Sequence, residues 1–224
     1  MKGRNHTMTK QDAINYLIDK CIVAVVRADT GGDDLVRVVE AVAAGGVHCI
    51  EVTMTTPGAL QCIETASAKL AGADVLLGVG TVLDAETCRM AILAGAEYVV
   101  TPTISVPVIE MARRYGKPIA AGAYTPTEIL TAWEAGSDFV KVFPASIGGP
   151  DYIKAIKGPL PQIPLIPTGG VEVDNVATFL KAGAAALGVG GNLVGKKLVA
   201  ARDFDGITKN ARAFADAVRA ARGG

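Results

Sequence analysis

The chain of 224 residues is poor in histidine, with only His6 and His48, and in aromatic residues, which make up 5% of it and include one tryptophan. Two histidines exclude a zinc site built from several imidazoles, so any metal would need carboxylate ligands. Neither sign of charge is in excess: 22 Lys and Arg balance 22 Asp and Glu. The electrostatic surplus that draws proteins to nucleic acid or anionic membranes is therefore missing. No charge-free apolar run reaches the about 18 residues that a membrane span requires. The start of the chain carries charge but leads into no continuous apolar stretch or small-residue cleavage site, so no secretion signal is expected. Residues 1–8 read as a disordered or loosely held N-terminus. Cys21, Cys49, Cys62 and Cys88 form no CxxC pair and lie in apolar or helical stretches, as expected of reduced core thiols in a cytoplasmic protein.

What is present is 50% hydrophobic content, enough for one sizeable core in a single domain. Short apolar runs rich in Val and Ile alternate with longer amphipathic ones, the pattern of a parallel sheet covered by helices. Eight runs read as strands: Cys21 to Val26, His48 to Thr53, Val75 to Val79, Tyr98 to Thr101, Pro118 to Ala121, Phe139 to Phe143, Pro164 to Pro167 and Ala185 to Val189. Eight strands at this near-even spacing predict a (β/α)8 TIM barrel, although an open doubly wound sheet shares the alternation. Thr30 to Asp33, Asp84 and Asp174 read as polar helix starts. An extra N-terminal helix over 10–19 is expected to cover the barrel bottom. The last segment sets Phe204, Ile207, Ala211, Phe214, Ala215 and Val218 on one face, to pack against the barrel exterior.

A parallel barrel carries its chemistry at the carboxyl ends of its strands. There Glu51 stands in Cys49-Ile50-Glu51-Val52-Thr53 and Lys141 in Phe139-Val140-Lys141-Val142-Phe143. Charged side chains inside apolar strands are costly unless paired or used. Burial disfavours the charged form of an amine, and a neutral amine is the nucleophile that forms an imine with a ketone while a nearby carboxylate moves protons. A structural Lys–Glu ion pair is the plainer alternative. Pro167-Thr168-Gly169-Gly170-Val171 and Gly188-Val189-Gly190-Gly191-Asn192 follow strands seven and eight, where paired glycines let backbone amides approach a phosphate. Plain turns are the alternative for each. Arg27, ending strand one, could hold a carboxylate or phosphate, or a rim salt bridge. Gly78-Val79-Gly80-Thr81 could present amides and a hydroxyl, or simply turn the chain. Trp133 reads as packing, and His48 comes too early in its strand to reach the site.

Taken together, Ala24-Val25-Val26-Arg27, Gly45-Gly46-Val47 before Ile50-Glu51-Val52-Thr53, Gly80-Thr81-Val82, Thr101-Pro102, Val140-Lys141-Val142-Phe143-Pro144, Pro167-Thr168-Gly169-Gly170-Val171 and Gly188-Val189-Gly190 resemble the 2-keto-3-deoxy-6-phosphogluconate (KDPG) and 4-hydroxy-2-oxoglutarate (KHG) aldolase family over nearly the whole chain. The resemblance implies a lyase that cleaves KDPG to pyruvate and glyceraldehyde 3-phosphate. It further implies no cofactor beyond a covalent imine on Lys141, Glu51 as acid and base, and a homotrimer. Thr81 and Pro102 would belong to the keto-acid pocket. Arg27, Thr53, Phe143, Thr168, Gly169, Gly170, Gly190, Gly191 and Asn192 complete the expected substrate-binding set. Two positions depart from the pattern. Thr55 stands four residues after Glu51, where some members carry a carboxylate-binding arginine, and Gly191-Asn192 replaces a serine of the phosphate loop. Other readings are the C4-epimeric galactonate substrate (KDPGal), a sugar-phosphate epimerase or isomerase barrel, and a non-catalytic scaffold or sensor.

Overall fold

The computed structural model describes residues 8–223, so the expectation for the N-terminus falls outside the described residues apart from Met8, which is half-buried against the lower barrel interior. The strands are β1 (Ile22–Val26), β2 (Cys49–Thr53), β3 (Leu76–Gly80), β4 (Val99–Val100), β5 (Ile119–Ala123), β6 (Phe139–Val142), β7 (Leu165–Pro167) and β8 (Leu187–Val189). All pair in parallel with their sequence neighbours, and β8 returns to β1. Parallel bridges Leu165–Ala184 and Thr168–Gly188 join β7 to β8 and complete the ring. This consecutive order, with no point at which it reverses, replaces the open-sheet alternative by a barrel.

Side chains alternate between the two faces of each strand. In β1, Ile22, Ala24 and Val26 point outward into the layer between sheet and helices, while Val23 and Val25 point in. The lower interior is filled by Val23, Leu76, Tyr98, Val100, Ala120, Phe139 and Ile166, and helix α1 (Lys10–Lys20) closes it from below with Ala13, Tyr16 and Leu17. Thr9 and Asp12 start α1 as a reciprocal capping box. The expected bottom-covering helix is thus present.

The outer ring runs through α2 (Gly32–Ala44), α3 (Ala59–Lys69), α4 (Ala85–Leu93), α5 (Val106–Arg114), α6 (Pro126–Glu134), α7 (Gly149–Lys157), α8 (Val176–Lys181), α9 (Lys196–Ala200) and α10 (Phe204–Gly223). Asp84 caps α4 by accepting the Thr87 N–H at 2.6 Å. Asp174 does not cap α8; Asn175 precedes that helix, accepting the Glu172 N–H and donating to the Gly170 carbonyl, which ties the helix entry to the glycine loop. Helix α10 buries Ile207, Ala211, Phe214 and Val218 against α2 and α8, while Phe204 and Ala215 are half-buried at its margin. Its approach depends on Gly45, where a Cβ would lie 2.4 Å from the Ala211 Cβ and 2.5 Å from the Thr208 carbonyl oxygen. Trp133 is half-buried on the outer core.

Candidate active site

Strands β2 and β6 stand four apart in the ring of eight, so inward side chains at matching heights face each other across it. Glu51 and Lys141 do so, 1% and 5% exposed respectively, with Lys141 Nζ 3.9 Å from Glu51 Oε1. A structural ion pair at this depth needs close, hydrogen-bonded contact, about 2.7–2.9 Å, to offset desolvation. This pair is farther apart, and neither Glu51 oxygen has a hydrogen-bond partner among the described residues. Burial is the larger influence on Glu51 and holds its carboxyl above the ordinary range, opposed by the positive charges of Lys141 and Arg27. The Phe143 ring lies beside the amine, with its centroid 5.4 Å from Nζ.

Glycines in the strands make the space. A Cβ at Gly80 would meet Glu51 Cδ at 2.7 Å, and one at Gly188 would meet Thr168 Oγ1 at 2.2 Å. At Gly122, the register partner of Lys141, it would strike the Pro102 carbonyl carbon at 2.2 Å. Bare backbone on β3, β5 and β8 therefore admits the carboxylate, the turn after β4 and the threonine.

Two cavities meet at Lys141. A small one of about 20 Å³ lies inside the barrel, walled by Glu51, Tyr98, Phe139 and their apolar neighbours. Above it, a pocket of about 360 Å³ opens at the carboxyl ends of the strands. Lys141, Val25, Thr168 and Gly188 border both.

The open pocket collects Arg27, Lys141, Phe143, Thr168, Gly169, Gly170, Gly190, Gly191 and Asn192 from the sequence-predicted set. Gly169 and Gly170 have φ of 93° and 74°, so the left-handed backbone favours glycine at both, and at Gly170 a Cβ would also lie 2.9 Å from the Ser146 Cα. In the second loop the N–H groups of Leu193 and Val194 both donate to the Gly190 carbonyl at 2.9 Å. A turn closed this way leaves the amides of Gly191 and Asn192 without a partner inside it. Asn192 spends its side-chain amide on the Val171 carbonyl, 3.0 Å away, so it binds loop to loop.

Four expected residues do not line this pocket; one is Glu51, which borders only the inner cavity. Thr53 is buried, its hydroxyl 3.0 Å from that of Thr55 and 3.1 Å from that of Thr56, whose oxygen accepts the Ala28 N–H. Thr81 and Pro102 lie past the ends of β3 and β4, Thr81 with a left-handed φ of 57°, rare for a β-branched residue. Two residues were not anticipated. Lys196, the first residue of α9, lines the pocket while its amine stands 3.6 Å from Asp29. Tyr98 lines the inner cavity; its inward parity with Val100 was the available signal.

The family model for KDPG and KHG aldolase matches residues 14–210. A 2-dehydro-3-deoxy-phosphogluconate aldolase of Treponema pallidum is 38% identical over 178 residues, 79% of this chain and 83% of that protein. A 2-dehydro-3-deoxy-6-phosphogalactonate aldolase of Escherichia coli is 36% identical over 201 residues, 89% and 95% of the two chains. Among solved structures, a native KDPGal structure superposes with a TM-score of 0.82 at 33% identity, covering 90% of this chain and 96% of that one. The Legionella pneumophila KDPG aldolase, with pyruvate captured at low pH as a covalent carbinolamine intermediate, gives 0.81 at 27% identity, covering 90% and 97%. Matched along most of its length in sequence and in fold, the chain belongs to the KDPG and KHG aldolase family.

Proposed function

We propose that this protein is a class I aldolase that cleaves KDPG to pyruvate and glyceraldehyde 3-phosphate, with Lys141 as nucleophile and Glu51 as acid and base. The observation that carries the assignment is the position of the Lys141 amine at the floor of the open pocket, 3.9 Å from a carboxylate with no protein hydrogen bond. Lys141 Nζ adds to the C2 carbonyl carbon, and loss of water gives a protonated imine. Glu51 takes the C4 hydroxyl proton as the C3–C4 bond breaks, and the bonding electrons pass into an enamine whose nitrogen accepts the imine pair. Glyceraldehyde 3-phosphate leaves. Glu51 returns its proton to C3, and water hydrolyses the imine to release pyruvate and the free amine.

The residues around the pair favour chemistry without a metal: one carboxylate and no histidine line the two cavities, too few donors for a metal centre. The phosphate end is assigned to the two glycine loops, with Arg27 and Lys196 supplying charge and Thr168 a hydroxyl. Thr81 and Pro102, at the ends of β3 and β4, remain assigned to the keto-acid end. Four free, buried thiols support a reducing, cytoplasmic setting.

A homotrimer is part of the same proposal. Met90 and Leu93 lie three apart on α4, 53% and 61% exposed, and Leu83 ahead of α4 and Val106 at the start of α5, the helix packed on α4, are exposed as well. An apolar patch of this kind on a folded chain marks a protein contact.

The E. coli phosphogalactonate relative, covered over 95% of its length, favours KDPGal as the second substrate reading. Release of pyruvate from KDPG, from its C4 epimer and from 4-hydroxy-2-oxoglutarate, followed by a coupled dehydrogenase, decides between them. The highest kcat/KM is expected for KDPG. A larger value for the epimer would move the assignment to KDPGal.

A further inference from the structure

Glu51, through both oxygens, and Tyr98, through its hydroxyl, hold the fully buried side-chain polar atoms that have no hydrogen bond among the described residues. Both line the small inner cavity that Lys141 also borders. The aromatic ring of Tyr98 lies across β3 at Gly78, where a Cβ would meet Cε1 at 2.4 Å and Cζ at 2.5 Å. Gly78 is the register partner of Glu51, so the ring crosses a bare strand and carries its hydroxyl end from β4 toward the carboxylate on β2. A phenylalanine would fill the same space without burying a hydroxyl, so an idle tyrosine here is a standing cost to the fold.

We propose that Tyr98 is a positioning residue for Glu51: its hydroxyl donates a hydrogen bond to the carboxylate, directly or through one water, whenever Glu51 is ionised. Both groups line the same cavity of about 20 Å³, about the space that one bridging water needs. The inference rests on the proposed role of Glu51 as proton carrier, because a carrier visits both charge states in each turnover and burial disfavours the ionised one. The groups facing Glu51 are few. Lys141 reaches it from β6 and Arg27 acts from the end of β1. Gly78 and Gly80 on β3 and Gly122 on β5 present no side chain, and Thr168 after β7 is a neutral hydroxyl. The Cys49 thiol, on the same strand, is pushed far up by burial and stays neutral. Tyr98 is then the neutral donor from the inner cavity, outside the lining of the open pocket.

Tyr98→Phe removes the hydroxyl and keeps the ring. The carbon-13 signal of the Glu51 carboxyl, identified by its loss in Glu51→Gln, should titrate at higher pH in Tyr98→Phe than in the unaltered protein, with no substrate present. Exchange of pyruvate methyl hydrogens for solvent deuterium should shift its pH profile in the same direction and slow at neutral pH by roughly 10- to 150-fold, the worth of one hydrogen bond to a charged group. An unmoved titration with a raised Tm would mark the hydroxyl as idle and overturn the proposal. Absence of any exchange in the unaltered protein would instead overturn the aldolase reading, and the titration still judges the hydrogen bond.

Discussion

Lys141 and Glu51 reach one point from opposite barrel walls, and substitutions there separate their roles. Lys141→Ala should abolish imine formation and turnover together. Glu51→Gln should leave the imine slower but detectable and lower kcat by about 10²–10⁴-fold, the usual worth of a positioned acid or base. Rapid-quench measurement of imine and product checks both, and a Glu51→Gln enzyme with unreduced kcat would remove Glu51 from the proton path. Glu51 also predicts a stability trend. Its folded-state proton affinity is raised, chiefly by burial, so the native state holds a proton that the unfolded chain releases above about pH 4.3. That contribution is complete below the unfolded value and is lost as pH rises through the folded one. Glu51→Gln, uncharged throughout, should therefore show a smaller fall in Tm between about pH 5 and pH 9 than the unaltered chain. Parallel melting curves would contradict this. Both residues were legible in the sequence because charge inside an apolar strand is costly enough to need a reason. Tyr98 was not, since nothing local reveals that its ring crosses Gly78 to reach another strand.

Glycine placement decides how closely the elements approach. Gly122→Ala would set a Cβ 2.2 Å from the Pro102 carbonyl carbon, and backbone cannot step aside as a side chain can. A loss of about 1–3 kcal/mol is expected, or roughly 2–4 °C in Tm per kcal/mol for a chain of this size. Removing the α4 cap with Asp84→Ala should cost about 1 kcal/mol. Urea titration of both variants checks these values, and a Gly122→Ala protein as stable as its parent would show that the Pro102 turn yields. The strands were readable from their apolar runs, and Asp84 from its place before a periodic stretch. Asp174 misled because an acidic residue before a helix has more than one local use. At α8 the neighbouring Asn175 bonds the Gly170 and Glu172 backbone, and the helix begins one residue later than an Asp174 cap would set it.

For the molecule as a whole, eight near-even repeats made the barrel legible, whereas the join between β7 and β8 was not. It consists of two isolated bridges, one of them possible because Gly188 leaves room for Thr168. The division of the interior into a small inner cavity and a larger open pocket depends likewise on side chains from several strands. The proposed trimer can be tested on its own: if it forms, Leu93→Glu should shift it toward monomer in sedimentation velocity, while a trimer unchanged by the substitution would move the interface away from α4. The most direct test of the Schiff-base assignment is to incubate the protein with pyruvate and sodium borohydride, record its intact mass and map the modified peptide. A reduced pyruvyl adduct on Lys141 is the predicted result; a folded protein that gains no adduct, or gains one on another lysine, would contradict it.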